Sequence, residues 1–303
     1  ENVRVYLLEH IRQSTSVSVA FQSYNNFLFN AYFMASSLLG EQLTYVVALP
    51  FLCWQYDSRL GRVFLFLLCI GTTVGSFLKN LFALPRPPSP PVKKSSYTDL
   101  KDFGFPSNHS LNSLALPLFL AIYHWDNYDL NRNLIHLALV AWWSLSMMAS
   151  RLYLGAHSLL DVVAGGIVGL VVSVVWGFCY EAFDTWALTN EQAPIYVGII
   201  SLCVIAIHPR SRIGAPSFKY TVALMGLLPG LVFGAWYAQR HLMDVEQRYD
   251  IKGWFAENAP WLKLTETTIL IIKTFLGIFV LELFNLLSKQ GTRMITGLFC
   301  SIP

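Results

Sequence analysis

Long apolar runs separated by short polar connections organise this chain. Residues 1–24 keep polar positions among apolar ones, with Arg4, Glu9, His10 and Arg12, and read as a polar or interfacial lead-in with a short amphipathic helix. An apolar stretch then runs from Phe27 to Trp54, interrupted at Gly40, Glu41 and Gln42. Since a membrane-crossing helix needs about 20 residues, this stretch is predicted to be one long tilted span rather than a broken pair. Further spans are predicted over Val63–Phe82, Leu111–Tyr123, Leu134–Leu152, Leu159–Tyr180, Ile195–Ile207, Tyr220–Tyr237 and Thr268–Leu287. The total is about eight, with an upper count of roughly nine.

Every element reads as helical, because the alternating strands of a closed barrel are absent from the pattern. The fold class is therefore all-α, a polytopic transmembrane helical bundle. Trp54, Trp125, Trp176, Trp186, Trp236 and Trp254 fall near predicted span ends, where an aromatic belt sits. Pro85 to Phe105 is the one long polar connection of the first half; its prolines deny it helix and its lysines keep it in water. Gly165 and Gly169 form a G-x-x-x-G pattern that predicts close helix packing.

Composition agrees with the pattern: 54% of residues are hydrophobic and 13% charged, the balance of a membrane protein rather than a soluble domain. A net charge of +3, scattered among apolar spans, argues against a nucleic-acid partner. Cys53, Cys69, Cys179, Cys203 and Cys300 mostly lie in apolar runs without C-x-x-C pairing, so neither a disulfide framework nor a zinc site is expected. The sequence opens at Glu1 without Met, and the natural N-terminus is expected to lie upstream. Lysines and arginines outside the motifs below fall on both sets of loops, so their count does not choose a membrane orientation.

The ionisable residues at the span edges change the picture most. Successive crossings put the connections Ala83–Ser110 and Ser150–His157 on one membrane face. Into that face fall Lys79, Arg86 and Arg151, three cations with only Asp161 near them in sequence. Clustered cations there call for an anion, and the arginine fork fits phosphate oxygens in pairs. Ser107 adds neutral donors at the start of the helix after Pro106, where a helix terminus favours negative charge. The expected ligand is a phosphate.

His157 and Asp161, four apart, are placed on one face of the fifth span within reach of a side-chain hydrogen bond. Such an aspartate fixes the imidazole tautomer and leaves the other nitrogen free as nucleophile or base. His109 arrives from the other connection. Two histidines flanking a phosphate can divide the work, one attacking phosphorus and the other protonating the departing oxygen. Taken singly, Lys79 reads as a snorkelling span end and His109 as a helix-start residue; their joint occurrence on one face favours chemistry.

These residues resemble the three motifs of the type 2 phosphatidic acid phosphatase superfamily. Lys79, Arg86 and Pro87 match the first; Pro106, Ser107 and His109 the second; Ser150, Arg151, His157 and Asp161 the third, all in order. The resemblance implies a catalytic core of that type, with His157 as a nucleophile forming a phosphohistidine, Asp161 orienting it and His109 as general acid. It implies Lys79, Arg86, Ser107 and Arg151 as phosphate binders, with Gly104 as a weaker candidate, and a reaction without metal or other cofactor. No acidic cluster fit for magnesium is seen in the sequence.

The runs "RPPSPPV", "FGFPSNHS" and "LGEQLTYVVALPFLCW" are most similar to sphingosine-1-phosphate, or long-chain-base-phosphate, phosphatases, a likeness extending from about Asn25 to Val175. That resemblance implies an endoplasmic reticulum protein whose site faces the lumen and whose partners are a lipid phosphate substrate and membrane lipids. Residues 25–180 are then the catalytic transmembrane core, and 181–303 are C-terminal transmembrane helices without a catalytic motif. A sphingoid amine would pair with Asp99, Asp102 or Glu41, although Glu41 and Glu282 within apolar stretches also suit internal pairing. Asn108-His109-Ser110 forms a glycosylation sequon, expected to be unmodified inside its motif. The rival readings are a phosphatidate or polyprenyl diphosphate phosphatase, and a non-catalytic lipid-phosphate transporter or scaffold.

Overall fold

Four short polar side chains set the start of four helices. Asn26 accepts from the Phe29 N–H at 2.9 Å, Asp129 from Arg132 at 3.2 Å, Ser158 from Asp161 at 3.2 Å and Ser107 from Ser110 at 3.3 Å. Each satisfies an N–H that the first helical turn leaves without a partner.

The computed structural model describes residues 2–53, 57–95, 102–211 and 214–241, with a few positions between 268 and 283. Its helices are α1 Asn2–Gln13, α2 Thr15–Ser23, α3 Phe27–Leu39, α4 Gln42–Phe51, α5 Ser58–Phe82, α6 Asn108–Tyr123, α7 Leu130–Tyr153, α8 Leu159–Thr189, α9 Ala193–Ile207 and α10 Ser217–His241. No strand occurs among the described residues, and the described part of this membrane protein is all-helical.

By length and apolar composition, four of these helices can cross a membrane: α5, α7, α8 and α10. The expected spans over Leu111–Tyr123 and Ile195–Ile207 correspond to α6 and α9, of only 16 and 15 residues. That over Thr268–Leu287 lies largely outside the described residues. The expectation of a single first span is corrected, because the Phe27–Trp54 run breaks at Gly40 into α3 and α4. A Cβ on Gly40 would stand 2.8 Å from Met147 Cε and 3.0 Å from His109 Cδ2. The missing side chain lets the break close against α7 and α6.

The chain divides into two compact units, Glu1–Tyr45 with Arg62–Arg240, and Val46–Gly61 with His241–Pro303. In the second, Asp57 accepts from the Arg59 and Leu60 N–H groups at 2.8 and 3.0 Å. All candidate site residues belong to the first. There α6 is the central helix, burying Leu111, Ala115 and Phe119 and packing on α7 and α8. The outward faces of α7 and α8 expose Leu134, Trp142, Leu145, Ile167, Val171 and Phe178, as lipid-facing surfaces do.

Two glycines set how close α8 comes to α6. A Cβ on Gly165 would lie 2.4 Å from the Ser107 carbonyl oxygen, and one on Gly169 would lie 2.4 Å from that of Leu111. The expected G-x-x-x-G packing is thus backbone against backbone at the start of α6. Gly165→Ala therefore pushes Ser107 and His109 away from α8. Such overpacking costs about 1–3 kcal/mol, which thermal melting of the variant checks.

At the opposite end of α5, Arg62 holds Asp184 of α8 in a two-pronged pair, Nε to Oδ1 at 2.7 Å and Nη2 to Oδ2 at 2.9 Å. This pair joins α5 to α8 at the end away from Lys79 and Asp161, where the site lies.

Candidate active site

Lys79 stands in the last turn of α5, and its side chain is buried. Its Nζ donates to the Phe103 carbonyl at 2.6 Å and lies 3.2 Å from Asp102 Oδ2. The other Asp102 oxygen accepts the Ser217 hydroxyl, which ties the start of α10 to this corner. Burying an ammonium is costly unless a charge and hydrogen bonds compensate. The sequence expectation that only Asp161 stood near the cations is therefore corrected, since Asp102 pairs directly with Lys79.

After α5 the chain turns through Ala83, whose φ is 48°, and Pro85 to Arg86. Arg86 Nη1 donates to the Ala156 carbonyl at 2.6 Å and Nε to the Asp102 carbonyl at 3.1 Å. Nη1 also lies 3.4 Å from His157 Nε2. A single guanidinium thus pins both connections and borders the imidazole. Lys94 stands close enough to this guanidinium that burial first, and then Arg86, lower its pKa.

Between α7 and α8 the chain reverses at Gly155, with φ at +65°, where a Cβ would meet the Lys93 carbonyl oxygen at 2.4 Å. Only glycine tolerates that conformation and that approach together. Gln22 of α2 braces the same turn, donating to the Lys93 and Tyr153 carbonyls at 2.7 and 2.9 Å and accepting from the Lys93 N–H at 2.9 Å.

His157 and Asp161 do not share a helix face as expected, because α8 begins at Leu159 and His157 precedes its cap. Ser158 is that cap and Asp161 closes a capping box on it, its Oδ2 accepting the Ser158 N–H at 2.8 Å. The helix-start signal S-x-x-D outweighs the bare spacing of four. His157 Nδ1 still faces Asp161 Oδ2 at 3.6 Å, beyond hydrogen-bond length. Both residues are buried, and among the described residues His157 Nδ1 and Asp161 Oδ1 have no hydrogen-bond partner. A small closure on ligand binding would complete the pair.

Arg151 reaches back from the last turn of α7, is 6% exposed, donates from Nη1 to Ser37 Oγ of α3, and leaves Nε without a partner among the described residues. A buried guanidinium N–H without an acceptor is costly, and an anionic oxygen would satisfy it. Ser107 donates its N–H to the Asp161 carbonyl at 3.0 Å, so the second and third motifs are stitched by backbone. His109 Nε2 lies 3.2 Å from Glu41 Oε1. Gly104 sits where a Cβ would stand 3.0 Å from Asp161 Oδ2 and from the Pro85 carbonyl oxygen. Asn108 packs its side chain on α5, donating to Ser76 Oγ at 3.4 Å.

The sum of these charges acts on His157. Its pKa is driven well below 6.5, first by burial and then by Arg86, Lys79, Arg151 and His109. The imidazole is therefore neutral at ordinary pH and can act as a nucleophile. Glu41 moves the other way from a neutral acid, its pKa lowered chiefly by the His109 hydrogen bond, so a carboxylate faces that ring. Among the described residues no three His, Cys, Asp or Glu side chains are grouped as a metal site needs.

Sequence reasoning missed Ser37 as the partner of Arg151 and Asp102 as the partner of Lys79, and it left Glu41 without a defined place. Glu41 carried a readable signal, an acid beside glycine in an apolar run; Ser37 carried none.

Residues 60–184 match the family model of the PAP2 superfamily. A probable sphingosine-1-phosphate phosphatase of Dictyostelium discoideum is 29% identical over 268 residues, covering 82% of this chain and 66% of its own. A dihydrosphingosine 1-phosphate phosphatase of Saccharomyces cerevisiae is 31% identical over 223 residues, covering 70% and 54% respectively. Sphingosine-1-phosphate phosphatase 2 of Homo sapiens is 25% identical over 228 residues, covering 75% and 57%. The chain thus spans less than two thirds of the length of these relatives. No solved structure matches the chain significantly.

Proposed function

We propose that this chain, whose residues 60–184 match the PAP2 superfamily, is a lipid phosphate phosphatase that hydrolyses sphingosine-1-phosphate and related long-chain-base phosphates. The observation that carries this reading is the convergence of Lys79, Arg86 and Arg151 on a buried neutral histidine, with the Arg151 Nε still lacking an acceptor. The names of the relatives supply the sphingoid substrate class.

The lipid enters sideways from the bilayer, its chain among the helices and its phosphate among the cations. Asp161 accepts a hydrogen bond from the His157 Nδ1–H once their 3.6 Å gap closes, which leaves the Nε2 lone pair beside Arg86 for phosphorus. The Nε2–P bond forms as the bond from phosphorus to the lipid oxygen breaks, and His109 gives that oxygen its proton. Water then attacks the phosphohistidine with His109 taking the proton, the N–P bond breaks, and inorganic phosphate leaves. Lys79, Arg86, Ser107 and Arg151 balance charge on the transferring oxygens, where phosphoryl transfer gains most. Gly104 keeps the approach to Asp161 open. No step calls on a metal.

Residues 25–180 are the catalytic core in this reading, and 181–303 support it without a catalytic motif. The protein resides in the endoplasmic reticulum membrane with the site facing the lumen; a glycosylation tag inserted beside Lys93 should become modified there, and an unmodified tag contradicts this orientation.

Phosphate release from sphingosine-1-phosphate, phosphatidate and a polyprenyl diphosphate in detergent micelles with excess chelator tests the function. Release from the sphingoid phosphate with chelator present is expected. Preference for either other lipid overturns the sphingoid assignment, and release from none favours a binding or transport protein. The same assay should give a bell-shaped pH profile. The pKa of His157 is held well below 6.5 and that of His109 is lowered to about 4, first by burial and then by Arg151, so both rings are neutral at ordinary pH in the free protein. The negative charge of a bound phosphate raises the His109 pKa, and in kcat the acid limb reports His157 gaining a proton while the alkaline limb reports His109 losing one from the complex. A monotonic rise with pH contradicts the division of labour.

A further inference from the structure

The break between α3 and α4 lies outside the matched residues 60–184, yet it reaches the centre of the site. Ser37 in the last turn of α3 accepts from Arg151. Gly40 lies so near the His109 ring that a Cβ would be 3.0 Å from Cδ2, and Glu41 sets Oε1 3.2 Å from His109 Nε2. In the phosphatase reading, on which this inference rests, His109 delivers a proton to the oxygen leaving the lipid. A long-chain-base phosphate carries its ammonium on the carbon next to the one bearing that oxygen. A carboxylate touching the proton donor is therefore within reach of that ammonium.

Other acids of the site are committed elsewhere. Asp102 holds Lys79 and the Ser217 hydroxyl. Asp161 is fully buried in the capping box facing His157. Asp99 lies outside the described residues. Among the described residues the Glu41 carboxylate, its side chain 45% exposed, is hydrogen-bonded by His109 and can exchange one cationic donor for another.

We propose that Glu41 is the specificity residue of this phosphatase: it binds the free ammonium of a vicinal amino-phosphate lipid and, in doing so, releases His109 Nε2 to protonate the leaving oxygen. The bound ammonium replaces the imidazole as the carboxylate's donor, so the substrate itself readies the general acid. An N-acylated sphingoid phosphate or a phosphatidate lacks the cation and leaves His109 engaged by Glu41.

The test compares kcat/KM for sphingosine-1-phosphate, its N-acyl counterpart and phosphatidate in wild type, Glu41→Gln and Glu41→Asp, using the full chain in detergent with thermal melting as the folding control. A charge-assisted hydrogen bond to an ionised partner corresponds to roughly 10- to 100-fold in kcat/KM. Glu41→Gln should lose about that factor more on the free amine than on the two amine-free lipids, so the preference collapses, and Glu41→Asp should restore part of it. An equal loss on all three lipids makes Glu41 a positioning residue for His109 and overturns the proposal, as does an unchanged preference. Wild type that cleaves phosphatidate but not the free amine also overturns it while sparing the phosphatase reading. Silence of the wild type on every lipid overturns that reading and this inference together.

Discussion

Replacing His157 with alanine is expected to abolish phosphate release from sphingosine-1-phosphate, by at least about a thousand-fold, since removing a covalent nucleophile leaves only the residual catalysis of the binding groups. The expectation follows from position. His157 is 2% exposed, its Nε2 lies 3.4 Å from the Arg86 guanidinium and its Nδ1 faces Asp161, so no solvent nucleophile takes its place without rearrangement. The substitution removes no partner from Arg86 that matters for folding, because that guanidinium keeps the Ala156 and Asp102 carbonyls at 2.6 and 3.1 Å. The variant should therefore still be extracted as a folded protein and still bind phosphate lipids. Micellar turnover beside wild type, with a melting curve for each, checks both statements; wild-type turnover in a folded His157→Ala sinks the assignment.

The second large effect is expected at Asp161. Asparagine there keeps an oxygen for the Ser158 N–H, now 2.8 Å from Asp161 Oδ2, so α8 retains its cap. It cannot, however, balance the positive imidazole that the proposed phosphohistidine would carry. Turnover of Asp161→Asn should fall about 100- to 10,000-fold with little change in melting temperature. Asp161→Ala should lose as much turnover and, in addition, about 1 kcal/mol of stability, because the capping box opens. If Asn and wild type turn over alike, Asp161 is only a helix cap. Comparing kcat and melting for the two variants separates these roles.

The three motifs were legible because a membrane makes charge conspicuous. Lys79, Arg86, Arg151, His157 and Asp161 stand out against apolar runs, and counting crossings was enough to bring their connections to one face. What counting cannot supply is partnership across the fold. Asp102 meets Lys79 because the proline-rich connection folds back under α5, and Glu41 meets His109 because Gly40 lets two helices break against α6 and α7. Both depend on where distant segments meet, which the local pattern does not state even where it marks the break at Gly40.

Two local readings failed for local reasons. The interval of four between His157 and Asp161 suggested a shared helix face, but Ser158 followed three residues later by Asp161 is a stronger instruction to begin the helix at Leu159. Apolar length joined Phe27 to Trp54, while the Gly40-Glu41-Gln42 interruption broke it. In each case the polar punctuation governed the backbone and the hydrophobic pattern did not. The G-x-x-x-G pattern was read correctly because backbone contact is what small residues at that spacing permit; that the contact falls on Ser107, two residues from His109, the proposed general acid, was visible only in three dimensions.

The most direct test of the account is to trap the covalent step. Wild type mixed with sphingosine-1-phosphate labelled in its phosphate, denatured in alkali within the first turnover and digested to peptides, should carry label on the peptide containing His157. The bond should be stable to base and labile to acid, as a phosphoramidate is, and the label should vanish in His157→Ala. Release of labelled phosphate at the full rate with no label on that peptide, at any quench time, would contradict the account and point to direct attack of water on the lipid phosphate.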